Sequence, residues 1–348
     1  MDRRTLGRTG IEVCAVGMGG IPLTQLTLEE GAELVSYAID KGIDFIETAR
    51  GYQDSENKIG IGIRGRRDSV TLASKAGHKD YDGMAAAIDQ SMEALDTDYI
   101  DIYQLHYVKD EEALKQALGP NGAMKALRKA QDEGKIGHVG ATAHEAKPLI
   151  ACMETGEFTN VQLPFNIVER EACEQLIPLA NQLNIAVIVM KPLGGGIFPN
   201  ARDSLRYILQ QRVSVLAIGM KRKFEVDENM ALASGWAPLN DEEMASLMRQ
   251  AEEIGTTFCR RCYYCLPCPQ GVDLSMLMIA EMMHSRHGID ELMMTMKWDE
   301  HLATAEKCAR CEQCVEKCPY SLPIPDLVAY AFEKYMPLAE QWKAQHPG

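Results

Sequence analysis

Two apolar patterns alternate along residues 1–235. Nearly continuous apolar runs occur at 13–19, 43–47, 69–74, 100–106, 136–141, 160–165, 186–191 and 213–219. Short runs without polar alternation are typical of parallel strands that are buried on both faces. The stretches between them carry apolar residues at helical spacing. The pattern therefore predicts eight strand–helix units in this part of the chain.

The number and order of these units predict a closed barrel. Thr27 and Glu30 have the spacing of a capping box at the start of the first helix, and Gly42 supplies the turn at its end. Eight units in about 235 residues match a (β/α)8 TIM barrel, an α/β fold. Residues 18–22 do not open a helix as the glycine-rich turn of doubly wound dinucleotide-binding folds does, so that architecture is disfavoured.

A different pattern begins near residue 236. The segment GWAPLND contains turn-forming residues. Asn240 and Glu243 then form a second capping box, flanked by Leu239 and Met244 as a hydrophobic staple. The rest of the chain alternates cysteine runs with helical patterns. We therefore expect two domains, a barrel over 1–235 and a mostly α-helical domain over 236–348.

Composition narrows the class of protein. The chain has 348 residues, of which 46% are hydrophobic and 25% are charged, as in ordinary folded proteins. Its formal net charge of −14 argues against a nucleic-acid partner. No apolar stretch reaches the ~18 residues of a membrane span, and the opening MDRRTLGRTG lacks the apolar run of a signal peptide. We expect a cytoplasmic protein without a membrane partner, whose 11 cysteines serve metal or redox chemistry rather than disulfides.

Eight of the cysteines form two runs that each end in Cys-Pro. The first run consists of Cys259, Cys262, Cys265 and Cys268, and the second of Cys308, Cys311, Cys314 and Cys318. The second has the C-x2-C-x2-C-x3-C-P spacing of bacterial [4Fe–4S] sites, and the first is one residue shorter. Zinc usually takes cysteine pairs separated by a longer loop, so two [4Fe–4S] clusters are the better prediction. The remaining thiols, Cys14, Cys152 and Cys173, are expected to be buried and inert.

Three closely spaced cysteines can wrap one cluster while the fourth turns away towards another. By analogy with two-cluster ferredoxins, we assign one cluster to Cys259, Cys262, Cys265 and Cys318, and the other to Cys308, Cys311, Cys314 and Cys268. Ligation of each cluster by the four cysteines of a single run is the alternative.

Polar residues at the ends of the predicted strands mark a second site. Glu47, Lys75 and His106 end or directly follow three neighbouring strands, and Tyr52 lies in the loop after Glu47. Chemistry in a (β/α)8 barrel takes place at this end of the strands. Lys75 can lower the pKa of Tyr52, Glu47 can hold Lys75, and His106 can orient a carbonyl group. These four residues are predicted to form an acid–base set.

Several segments within residues 1–235 carry a family resemblance, namely GIDFIETARGYQDSENKIG, LASKAG, DYIDIYQLHYV, KIGHVGATAHE, NVQLPFN, MKPLGGGIF and IGMKRKFEVDEN. In these segments the chain resembles the aldo-keto reductase superfamily, in its branch with a C-terminal ferredoxin-like extension. The resemblance implies that RTLGRTGIEV forms a hairpin that plugs the barrel floor. It also implies that Glu47, Tyr52, Lys75 and His106 are the catalytic tetrad, with Glu47 in place of the usual Asp.

The resemblance further implies NADP(H), extended over the barrel mouth. Thr142 and Gln162 match the positions that hold the nicotinamide amide, whereas Ala143 and Met190 replace an expected Asn and an aromatic residue. Because of these replacements, a flavin in the same pocket is the alternative cofactor. Further cofactor-binding positions are expected at Lys191, Pro192, Leu193, Gly194, Glu228 and Asn229.

The loop after the eighth predicted strand offers a phosphate site. Gly219, Lys221 and Arg222 can bind a phosphate through backbone amides and positive charges. Two adjacent cations favour the 2′-phosphate of NADP over NAD.

These expectations combine into an oxidoreductase that transfers hydride between NADP(H) and a small carbonyl or alcohol. Tyr52 acts as the acid or base, and Lys75 and His106 stabilise the oxyanion. The clusters exchange electrons with a ferredoxin or flavodoxin. Four cations beside the clusters either dock this carrier or neutralise the negative charge of the clusters themselves, namely Arg260, Arg261, Arg310 and Lys317. The alternative is an electron-transfer or redox-sensing protein whose barrel is not an active reductase or holds a flavin.

Overall fold

The computed structural model describes residues 1–261, 264–318 and 320–346, without the side chains of 285–287. The chain divides into two compact units. The first comprises Met1–Leu193 and Asn200–Met244, and the second comprises Gly194–Pro199 and the chain from Ala245 onward.

The first unit is built around a closed parallel barrel, as predicted. A short antiparallel hairpin precedes it, formed by strands β1 (Arg3–Thr5) and β2 (Glu12–Cys14). The barrel strands are β3 (Val16–Gly19), β4 (Phe45–Glu47), β5 (Thr71–Ala76), β6 (Ile100–Leu105), β7 (Ile136–Thr142), β8 (Asn160–Pro164), β9 (Ala186–Met190) and β10 (Val215–Gly219). Each strand pairs with the next, and β10 pairs with β3 to close the barrel.

Helices connect the strands in the first unit. They are α1 (Leu28–Asp40), α2 (Ser55–Gly62), α3 (Tyr81–Leu95), α4 (Glu111–Leu118), α5 (Ala123–Asp132), α6 (Ala146–Glu154), α7 (Leu176–Gln182), α8 (Ala201–Leu209) and α9 (Lys223–Gly235). The predicted capping box starts α1, since the Thr27 hydroxyl accepts a hydrogen bond from the Glu30 amide and the Glu30 carboxylate accepts one from the Thr27 amide. Gly42 takes a left-handed conformation (φ 100°) after α1.

Side chains inside the barrel change from apolar to polar along the strands. The apolar layer includes Phe45 of β4, Ala73 of β5 and Ile102 of β6, and the hairpin contributes Leu6 and Val13 to it. Alternate residues of a strand face the same side. The residues two positions further along these strands are therefore the polar ones at the carboxyl end of the barrel, namely Glu47, Lys75 and Gln104.

The second unit is mainly helical, as predicted. Helix α10 (Asp241–Gly255) leads into it, and it contains α11 (Leu274–Leu277), α12 (Ala280–Met296), α13 (Trp298–Ala303), α14 (Gln313–Glu316) and α15 (Ile324–Gln345). Trp298, Leu302, Val328 and Tyr335 are fully or almost fully buried in its core. The cysteines described in both runs, except exposed Cys311, pack against this core. In the described parts of the chain, no helix is both long and apolar enough to cross a membrane.

The first unit extends beyond the boundary expected near residue 236. The guanidinium of Arg206 on α8 donates hydrogen bonds to the carbonyl oxygens of Ala237 and Pro238, at 2.8 and 3.0 Å. It also pairs with the Glu243 carboxylate, at 2.9 Å. Asn240 and Glu243 form the predicted capping box at the start of α10. These contacts fasten the linker to the first unit, and the limits 1–235 and 236–348 stay a prediction.

Candidate active site and cluster sites

The structure brings the four residues of the predicted acid–base set together. Glu47 ends β4, Lys75 lies on β5, His106 directly follows β6, and Tyr52 lies in the loop between β4 and α2. The buried Lys75 ammonium contacts the Glu47 carboxylate and donates a hydrogen bond to the Thr48 carbonyl oxygen at 2.7 Å. Its Nζ atom lies 4.9 Å from the centre of the Tyr52 ring. The Tyr52 and His106 rings meet edge to face, with centres 6.0 Å apart.

Burial dominates the ionisation of this set. It lowers the pKa of the Lys75 ammonium. It also raises the pKa of Tyr52 to about 12, opposite to the direction expected from a neighbouring cation. Burial deprives a phenolate of more solvation free energy than its attraction to the neighbouring lysine restores, because a buried charge is poorly solvated. Tyr52 therefore keeps its proton in neutral solution.

His106 is held neutral. Its pKa is lowered to about 3, chiefly by burial and further by the positive charges of Lys75, Lys79 and Lys191. A neutral imidazole has one nitrogen that donates and one that accepts a hydrogen bond. His106 can therefore polarise a carbonyl oxygen by donating a hydrogen bond without carrying a net charge.

Gln162 joins the same site and fits a nicotinamide carboxamide. Its Nε2 donates a hydrogen bond to the Glu47 carboxylate at 3.1 Å. Its buried Oε1 has no hydrogen-bond partner within the described residues, so it is an acceptor suited to an amide N–H. Thr142, at the end of β7, accepts a hydrogen bond from the Tyr107 amide at 2.9 Å through its hydroxyl.

Two polar features of the barrel were missed by the sequence reasoning. Gln104 Nε2 donates a hydrogen bond to Asn160 Oδ1 at 2.9 Å, and both side chains are fully buried. Lys79 donates one to the His106 carbonyl oxygen at 2.8 Å, and burial lowers the pKa of this lysine to about 8. The period of two along β6 could have identified Gln104, which lies two positions before His106. Lys79 stands in a loop and gave no such signal.

The residues of the loop after β9 belong partly to the first unit and partly to the second. Lys191 has a left-handed backbone (φ 54°), and its Nζ lies 3.2 Å from the His144 Nε2. Pro192 is buried and Leu193 is half-buried. Gly194 already belongs to the second unit. Its positive φ of 59° is a conformation that glycine adopts at little cost.

The predicted phosphate site after β10 already contains a carboxylate. One oxygen of Glu225 accepts hydrogen bonds from the amides of Lys221 and Arg222, at 2.8 and 3.1 Å. The other accepts from the Arg222 guanidinium, at 2.8 Å from its Nη2. Gly219 ends β10 and is exposed. A phosphate that used these amides would have to displace Glu225.

The predicted adenine residues differ in exposure. On α9, Asn229 is buried and Glu228 is exposed. Lys221, in the loop before this helix, donates a hydrogen bond from its Nζ to the Gln25 Oε1 at 3.1 Å.

The two cysteine runs meet in the second unit. One cleft is lined by Cys259 and Cys265 of the first run and by Cys318 of the second, together with Arg260 and Arg261. Cys268 and Cys308 are close enough to Cys314 to raise the pKa of its thiol, although burial is the larger cause. Cysteines of both runs therefore come together at two places, one around Cys318 and the other around Cys314. Cys262 lies outside the described residues.

The donors around these places suit iron–sulfur clusters. The side chains that meet at these places include cysteine thiols of both runs, and thiolates are the ligands of such clusters. Cys14 and Cys152 are buried, as expected, whereas Cys173 is only half-buried. Burial raises the pKa of all three thiols, that of Cys152 to about 12. They are therefore poor nucleophiles.

Comparison with known proteins assigns the family. Residues 15–205 match the aldo/keto reductase family, and residues 258–323 match a 4Fe-4S dicluster domain. The chain belongs to the aldo/keto reductase family and carries a C-terminal 4Fe-4S dicluster domain.

Individual relatives are distant. The chain is 26% identical over 212 residues to "Probable aldo-keto reductase 1" of Glycine max. The matched region covers 56% of this chain and 60% of that protein. The chain thus spans about three fifths of the length of this curated relative. A Bacillus halodurans aldo-keto reductase, AKR11C1, is 21% identical with a TM-score of 0.63, over 73% of this chain and 96% of its own. A Klebsiella pneumoniae aldo/keto reductase in complex with NADP and acetate is 23% identical with a TM-score of 0.62, and the match covers 72% of this chain and 95% of that one. These structures share the barrel fold.

Proposed function

We propose that the protein reduces small carbonyl compounds with NADP(H) and that two [4Fe–4S] clusters exchange electrons with a carrier protein. The observation that carries the proposal is the buried Lys75 ammonium, in contact with the Glu47 carboxylate and 4.9 Å from the Tyr52 ring centre. A protonated Tyr52 and a neutral His106 can then both donate hydrogen bonds to a substrate oxygen. This arrangement suits reduction, in which the oxygen gains negative charge and a proton.

The cofactor would lie between the acid–base set and the loop after β10. NADP(H), when bound, supplies or accepts the hydride. Gln162 Oε1 would accept a hydrogen bond from the carboxamide of the nicotinamide, while Lys221 and Arg222 would provide positive charge for the phosphates. Tyr52 donates its hydroxyl proton to the substrate oxygen, and Lys75 holds the phenol in place while Glu47 holds Lys75.

The crossed assignment of cysteines is supported by the cleft that Cys259, Cys265 and Cys318 line. The proximity of Cys268 and Cys308 to Cys314 supports the second half of the assignment. Each cluster carries one electron at a time, whereas hydride carries two. We therefore propose that the clusters serve a separate one-electron exchange with a ferredoxin or flavodoxin.

The test is a comparison of Tyr52→Phe with Tyr99→Phe. Tyr99 lies just before β6, at the opposite end of this strand from His106, so its replacement leaves the acid–base set unchanged. NADPH oxidation is measured anaerobically with a panel of small aldehydes and ketones. We expect turnover in the wild type and in Tyr99→Phe, and a loss of about 10²- to 10⁴-fold in Tyr52→Phe. Absence of turnover in the wild type with every carbonyl would overturn the reductase proposal.

One observation favours the second candidate, an electron-transfer or redox-sensing protein. Glu225 already fills the amide site that the phosphate needs, which weakens NADP(H) binding. Anaerobic titration with NADPH separates the two candidates. Binding of NADPH supports the reductase, whereas clusters that a ferredoxin reduces in a protein that does not bind NADPH support the second candidate.

A further inference from the structure

The two cysteine runs carry an arginine at equivalent positions. Arg261 is the second residue after Cys259, and Arg310 is the second residue after Cys308. Both have a left-handed backbone, with φ of 59° and 49°. This conformation is unfavourable for a residue with a side chain, so the two loops share an unusual local shape. The pair therefore offers an internal comparison between the two cluster sites.

The environments of these two arginines differ. Arg261 is 9% exposed, and its Nε and Nη2 have no hydrogen-bond partner within the described residues. Among the described residues, its Nη1 reaches the sulfur of Met282, a weak acceptor, at 3.5 Å. Arg310 is exposed, and its guanidinium pairs with the carboxylate of Asp326. The first run thus has a buried guanidinium whose N–H groups lack acceptors among the described residues, whereas the guanidinium of the second run is exposed and its charge is balanced by Asp326.

Arg260 adds to the positive charge at the first run. Its guanidinium stacks on the Tyr320 ring, 3.8 Å from the ring centre. Its Nε and Nη1 are buried and also have no hydrogen-bond partner within the described residues. Arg260 and Arg261 both line the cleft that contains Cys259, Cys265 and Cys318.

Buried donors without acceptors are costly, and a buried charge without a partner is costlier still. The sulfur atoms of a cluster in this cleft would supply both the acceptors and the negative charge. The buried N–H donors of Arg260 and Arg261 therefore fit a cleft that holds a cluster better than a cleft without one.

We propose that Arg261, together with Arg260, donates N–H bonds to the sulfur atoms of the cluster at Cys259, Cys265 and Cys318 and so raises its reduction potential above that of the second cluster. This inference rests on the proposed presence of both clusters. One electron from the proposed carrier, a reduced ferredoxin or flavodoxin that is itself oxidised, converts [4Fe–4S]2+ to [4Fe–4S]+ and adds one negative charge. A buried cation and N–H donors stabilise that charge, and hydrogen bonds to the sulfurs are a known determinant of the potential. The Arg310–Asp326 pair is exposed and nearly neutral, so it has little such effect.

The consequence is an order of filling. The cluster beside Arg261 takes the first electron and holds it, whereas the cluster beside Arg310 takes the second. The test is an anaerobic redox titration of the full-length holoprotein, followed by electron paramagnetic resonance, with iron and sulfide content measured on each sample. We expect two one-electron steps at separate potentials in the wild type.

The variants are Arg261→Gln and its matched control Arg310→Gln. In Arg261→Gln the higher step should shift to lower potential, while in Arg310→Gln both steps should stay at the wild-type values. Arg261→Lys retains the charge but not the planar donors, and it should shift the same step by less. It also keeps the test decisive if Arg261→Gln fails to load its cluster.

Two results would overturn the inference. One is a fully loaded Arg261→Gln or Arg261→Lys protein that titrates as the wild type does. The other is an equal shift in Arg310→Gln. A wild-type protein without iron and sulfide would instead overturn the proposed cluster assignment itself.

Discussion

At the scale of single residues, burial decides which proton the barrel site can offer. Tyr52 and His106 both lose water around their polar atoms, and both are driven towards the neutral form. The sequence placed these residues and their neighbour Lys75 at one end of the barrel, and the folded chain brings their side chains together. The sequence indicated the wrong direction for the shift of the Tyr52 pKa, because that shift depends on how deeply the loop after β4 is buried.

A pKa of about 12 for Tyr52 predicts different pH profiles for the two directions of the reaction. Carbonyl reduction needs the phenol, which is present throughout the neutral range, so its rate should be flat between about pH 7 and pH 9. Alcohol oxidation needs the phenolate, whose fraction below the pKa rises about tenfold per pH unit. Both rates are measured at saturating cofactor and substrate. Reduction that falls as sharply as oxidation rises would show that the working pKa lies within this window.

At the scale of elements, local spacing made the barrel predictable. The eight apolar runs became the eight barrel strands, and the boxes at Thr27 and Asn240 start helices α1 and α10. These signals lie within a few residues of one another. The Gln104–Asn160 hydrogen bond could not be predicted in this way, because it joins side chains 56 positions apart.

The start of α9 shows the same limit for the cofactor site. The sequence placed Lys221 and Arg222 after the last strand and predicted a phosphate site there. It did not indicate that Glu225, three residues after Arg222, folds back on the amides of both residues. An acidic side chain is favourable at this position because the helix dipole and the free amides attract negative charge.

Replacement of Glu225 by Gln should therefore strengthen NADPH binding. The change removes the negative charge that competes with a phosphate and releases Arg222. A charge at a helix start is worth about 0.3–1 kcal/mol, which corresponds to roughly two- to fivefold in Kd. NADH, which lacks the 2′-phosphate, should gain less. The dissociation constants are measured by fluorescence titration of the folded protein.

Asp227→Asn is the matched control for this change. Asp227 lies on the same helix, where it binds Lys41 and Tyr37. Its replacement removes an equal charge away from the amides. An equal gain in NADPH affinity in the two variants would mean that the overall negative charge of the protein, and not the Glu225 contact, limits NADPH binding.

At the scale of the whole molecule, the sequence separated a barrel from a cysteine-rich region. The boundary was harder to predict, because the contacts of Arg206 with the linker join residues more than 30 positions apart. The pairing of the cysteine runs poses the same problem, and only the folded chain brings Cys318 to Cys259 and Cys265.

This crossing predicts how iron removal should affect stability. Each proposed cluster ties the segment around Cys259–Cys268 to the segment around Cys308–Cys318, so the free energy of cluster binding contributes to the folding of the second unit. Oxidation with ferricyanide in the presence of a chelator should therefore increase hydrogen exchange across 245–346 and leave the barrel strands protected. The exchange is followed by mass spectrometry of peptides, with chelator alone as the control. Equal loss of protection in β3–β10 would contradict a stabilising role confined to the second unit, and unchanged exchange in both units would show that the clusters do not support the fold.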